Sequence, residues 1–130
     1  METAELESQV YNALISNENL AGMLPRMTDG SLPVFHLAAP AGDVKRYPIL
    51  VYAPISDVPV LFTDDEETFH SVTIRISIVT NDGQYSEIYK IIRQIMTKEL
   101  DFKRVNAVPK IDFEFDKLIL DADFKTMIKS

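Results

Sequence analysis

Val72, Ile74, Ile76 and Ile78 stand at alternate positions, with Ser71, Thr73, Arg75 and Ser77 between them. Successive strand side chains point to opposite faces, so this spacing predicts one long strand with a buried face and a polar face. At Asn81-Asp82-Gly83 the period changes, and Tyr85, Ile88, Ile92, Ile95 and Met96 then share one stripe of a helix. The two apolar surfaces adjoin in the chain and bury each other most directly by packing together. That constrains the fold to a sheet with helix laid on it. The unit itself carries no obvious catalytic group.

The remaining segments arrange themselves around this unit. Leu6, Val10, Ala13 and Leu14 give a helix over 4–15, with Thr3 placed to cap it. After the break at Ser16-Asn17-Glu18-Asn19, Leu20–Leu24 adds one more helical turn. Residues 25–47 are rich in proline and glycine and read as loop, with Val34–Ala38 the one short strand. Tyr47–Ile55 is a second short strand, bracketed by Pro48 and Pro54. Residues 57–67 read as a long connection, followed by the central strand. Beyond the second helix, Phe102–Phe115 and Leu118–Ile128 form two strands, with a bulge expected at Pro109. The expectation is an α+β fold in one domain over 1–130. Its mostly antiparallel sheet has four to five strands, with two main helices on one face, in the order α-β-β-β-α-β-β.

Composition narrows the functional classes. The formal charge of −7 argues against a general nucleic-acid binder, which needs a basic footprint. The charge is also uneven: residues 1–67 hold 11 acids and 3 bases, residues 68–130 hold 9 acids and 10 bases. Such asymmetry can orient self-association or a basic partner. Among zero cysteines there is neither a disulfide nor a thiolate metal site. No apolar run approaches the ~20 residues of a membrane span, and the acidic start does not resemble a signal peptide. A soluble, cytoplasmic protein is the expectation.

Catalytic chemistry finds little support in the residues. His36 and His70 lie in predicted strands and read as satisfied strand residues rather than ligands or bases. Neither a phosphate-binding glycine loop nor a nucleophile elbow is present. The run Asp64, Asp65, Glu66 and Glu67 reads as a solvated hairpin tip or a contact for a basic partner, since consecutive carboxylates diverge too much to cage a metal. Catalytic, metal and cofactor sites are therefore all expected to be absent. Val58, Val60, Leu61 and Phe62 form an apolar stretch inside the connection. They are either a strand extension folded onto the core or an arm that buries itself on another subunit. Ser71, Thr73, Arg75 and Ser77 face water or a subunit surface.

Over nearly its whole length the pattern resembles the small tail completion, or tail terminator, proteins of long-tailed bacteriophages and prophages. The elements that carry the resemblance are the helix Leu-Glu-Ser-Gln-Val-Tyr-Asn-Ala-Leu, Leu20-Ala21, Phe35–Pro40 and Tyr47-Pro48-Ile49-Leu50-Val51-Tyr52. The strand His70–Thr80, the helix Tyr85–Met96 and Phe102-Lys103-Arg104-Val105 complete it. The resemblance implies a non-enzymatic structural protein that caps the tail tube as a ring, typically a hexamer, and joins it to the head connector. Implied partners are further copies of the chain, tail tube and head-connector proteins, with neither specific nucleic-acid binding nor a membrane. The isolated chain is compatible with a monomer. The implied locations are the bacterial cytoplasm during assembly and the virion tail, where an acidic lumen lets DNA pass without gripping its backbone. Alternatives are another connector or minor capsid component, or a small acidic inhibitor such as a toxin-immunity protein. A small enzyme using one carboxylate with His70 is a further alternative. The arm Val58–Phe62, the charges Asp64–Glu67 and the Ser71–Ser77 face are the candidate contacts.

Overall fold

In the computed structural model, which describes residues 1–40, 46–64 and 66–129, helix α1 spans Thr3–Ser16 and the single turn α2 spans Glu18–Ala21. Three strands follow: β1 (Val34–His36), β2 (Ile49–Thr63) and β3 (Glu66–Thr80). Helix α3 (Ser86–Gln94) runs on into a π-helical turn, Ile95–Glu99, and β4 (Lys103–Asp112) and β5 (Lys117–Lys129) close the chain. The five strands form one sheet in the order β1-β2-β3-β5-β4. Among the described residues, only the β1–β2 pair is parallel. The fold is α+β, as the alternating periods predict.

The central strand pairs as its pattern requires. In register, Leu50, Ile78 and Leu120 share one row; Tyr52, Ile76 and Ala122 the next; Ile74 and Phe124 the one after. These side chains are buried against Leu6, Val10 and Leu14 of α1, Leu20 of α2, and Ile88 and Ile92 of α3. Full burial of an isoleucine or leucine contributes about 1.5–3 kcal/mol, so this face dominates stability. The strand-to-helix turn is fixed by Thr80, whose hydroxyl donates to the Leu118 carbonyl and accepts from Gly83 N–H. Gly83 sits at φ 74°, a conformation costly for a side chain.

Several expectations need correction. Thr3 does not cap α1; its hydroxyl donates instead to Asp57 at 2.7 Å. Pro109 pairs in register with Leu120, and the β4 bulge lies between Arg104 and Asn106. Residues 57–67 are not a connection. Strand β2 runs on to Thr63 and pairs with β3 almost throughout, with register shifts at Pro54/Ser56, Pro59/Leu61 and Leu61/Phe62. Bulges and an unpaired outer edge are where a strand tolerates proline, because the missing N–H breaks no ladder bond there.

Candidate functional site: the distal β2–β3 hairpin

β1 covers the outer edge of β2 only along Leu50–Tyr52, and β5 accompanies β3 outward only to the Phe69–Lys129 pair. Among the described residues, β2 is therefore an edge strand from Ala53 onward, and beyond Phe69 the sheet narrows to two strands. Here the apolar side chains are no longer covered. Val58, Val60 and Leu61 are each about half exposed, and so is Ile55. Val58 lies opposite Ser71, and Leu61 opposite Phe69. Asp64 turns the tip at φ 51°, and Glu66 and Glu67 are exposed just after it. Phe62 pairs through its backbone with Glu67, while its side chain and Asp65 lie outside the described residues. Asp64, Glu66 and Glu67 thus stand at a hairpin tip, and Val58, Val60 and Leu61 lie half exposed on a strand extension.

A polar clasp marks the root of this distal half. Asp57 Oδ1 meets His70 Nδ1, Asp57 Oδ2 accepts from Thr3, and the Met1 amine donates to the Lys129 carbonyl at 2.9 Å. The Asp57 hydrogen bond holds the His70 imidazole above its ordinary pKa, helped by the charge of Glu67 and a bond to the Met1 backbone. The Asp57 carboxyl is lowered, first by His70 and then by Thr3. Both shifts favour an imidazolium–carboxylate pair. It joins the start of α1 to the hairpin, beside an open cleft of about 350 Å³ lined by Glu2, Asp57, Pro59, Glu67 and His70. The second histidine, His36, meets Glu7 at 2.7 Å and lies against the Tyr52 ring.

The face opposite the helices is more self-contained than its sequence implies. Arg75 holds Asp123 through two hydrogen bonds, at 2.8 and 3.1 Å, which raises the guanidinium pKa. Ser77 donates to Asp121 at 2.6 Å, and Lys110 reaches the other oxygen of the same carboxylate at 3.0 Å. Asp121 and Asp123 are only 7% and 6% exposed, so these partners neutralise carboxylates that are nearly buried. Ser71 is itself buried and Thr73 half-buried. Of the four residues expected to face water or a subunit surface, Arg75 and Ser77 bond to β5.

Sequence reading passed over a second apolar projection at the opposite end of the sheet. Phe113 is 87% exposed and Phe115 64% exposed, in the turn between β4 and β5. The sequence pattern predicts both inside the strand Phe102–Phe115. Asp112 ends it: its carboxylate accepts from the N–H groups of Glu114 and Phe115, and Asp116 takes a positive φ of 54°. An Asp followed two and three residues on by the N–H groups it binds is a local turn signal. Reading that signal would have moved both phenylalanines out of the strand.

Among the described residues, no three His, Asp or Glu side chains converge as a metal site, and no helix is long and apolar enough to cross a membrane. A scan against protein-family models finds no match, and no curated protein matches the chain.

Proposed function

We propose that the chain is a structural assembly subunit, acting as a tail terminator does: it caps a phage tail tube as a ring and contacts the head connector. One observation supports this reading above the others. A 15-residue strand pair continues past its covering elements and carries Val58, Val60 and Leu61 half exposed beside an acidic tip. Uncovered apolar side chains on an edge strand favour association, and an isolated monomer gains nothing from them. The clasp at Asp57 and His70 fixes the root of the element, so a partner meets a hairpin of set direction. Preset geometry of this kind lowers the ordering cost of association. The resemblance of the sequence pattern to tail terminators supplies the particular assembly, a virion tail built in the bacterial cytoplasm.

The test is reconstitution. Purified chain mixed with polymerising tail tube protein of the same phage or prophage should shorten the tubes and leave a ring at their ends in electron micrographs. Tubes of unchanged length with no end-bound protein, together with tight one-to-one binding to a single basic protein, would favour the acidic-inhibitor reading instead.

A further inference from the structure

Lys103 begins β4, and Lys125 stands directly opposite it on β5. Like charges facing each other across two strands repel and destabilise the pair. Among the described residues neither lysine makes an ion pair, whereas Lys110 on the same strand and Arg75 both hold carboxylates. The two lysines line an open pocket of about 310 Å³ together with Asp101, Thr126 and the exposed Met127. In a chain of net charge −7, this is a basic pocket with an apolar wall and one acidic side chain in its lining.

Resting on the assembly reading above, we propose that this pocket receives the acidic β2–β3 hairpin tip of a second copy of the chain. Residues 57–67 carry five acids and no base, with Val58, Val60 and Leu61 among them. Charge and apolar character therefore match on both sides: Glu66 and Glu67 meet Lys103 and Lys125, and the valines and leucine meet Met127. The tip cannot fill its own pocket. Lys125 pairs with Thr73, and seven residues of strand separate Thr73 from Glu66, about 23 Å at roughly 3.3 Å per residue. A paired hairpin of that reach holds its tip away from its own lysines and leaves it free to meet those of a neighbour.

Charge exchange tests the match. The variants Glu66→Lys/Glu67→Lys and Lys103→Glu/Lys125→Glu are first checked for wild-type thermal unfolding, since all four positions lie at the surface. Sedimentation velocity at low salt, where exposed charges are least screened, then reads association of wild type, each variant, and their equimolar mixture. Each variant alone should associate at least about tenfold more weakly than wild type, and the mixture should recover, because each hairpin then finds a pocket of opposite sign. A mixture no better than its components overturns the proposal, as do variants that associate like wild type. A wild type that stays monomeric into the millimolar range also overturns it, while the tail-tube experiment judges the assembly reading separately.

Discussion

The two halves of the β2–β3 hairpin are built from the same kinds of residue and live in different surroundings. In the proximal half, Leu50, Ile74, Ile76 and Ile78 are wholly buried beneath three helices. In the distal half, Val58, Val60 and Leu61 keep about half of their surface in contact with solvent. What separates the halves is cover and not strand chemistry. The lesson is that an apolar strand residue stabilises the monomer only where another layer meets it. Without that layer, the same residue becomes a surface for something else.

The sharpest way to break this comparison is a matched pair of truncations. Ile76→Ala should cost about 3 kcal/mol, since it empties a closed core position. Val58→Ser with Leu61→Ser should change stability by less than about 0.5 kcal/mol, as surface changes do. Urea denaturation measures both, and equal losses would show that the distal half is core. Next in size is Arg75→Ala, expected to cost about 2 kcal/mol because it strands the nearly buried Asp123; the half-exposed guanidinium keeps the figure below that of a fully buried pair. Removing both partners, with Asp123→Ala as well, should recover part of the loss.

The smallest expected effect is that of the clasp, about 1 kcal/mol for His70→Ala at pH 6. Its pH dependence has a definite sign. The contribution of His70 is complete below its ordinary value of 6.5 and is lost as pH rises through its raised folded value. That of Asp57 is complete above 3.8 and is lost as pH falls through its lowered folded value. Stability relative to His70→Ala should therefore peak between those limits. A difference that stays flat from pH 4 to pH 9 in thermal unfolding would remove the imidazolium pair from the account.

What the sequence revealed follows the same division. The central unit was legible because its two periods, two residues in β3 and about 3.6 in α3, are each enforced by one buried face. Leu118–Ile128 was legible for the same reason. The distal hairpin was hidden by Pro54, which reads as a strand end but sits at a bulge, with Pro59 at a second one. Strand β4 is exposed on both faces, so burial imposed no alternation on it, and its end at Asp112 was misplaced. The exposure of Val58, Val60 and Leu61 was legible only as one of two readings, because four large apolar side chains beside prolines fit either a covered or an uncovered strand. Arg75–Asp123 and Ser77–Asp121 were not legible, because their partners stand 48 and 44 residues away and only the register of β3 on β5 brings them together.

Amide hydrogen exchange across residues 49–80, followed as a function of protein concentration, tests most directly whether the distal half is a contact element. At low concentration the distal amides, near Val58–Leu61 and Glu66–Thr68, should exchange much faster than those near Leu50–Tyr52 and Ile74–Ile78. Raising the concentration, or adding tail tube protein, should protect the distal amides and leave the proximal ones unchanged. Distal amides as protected as the proximal ones at every concentration, with or without tubes, would contradict the account.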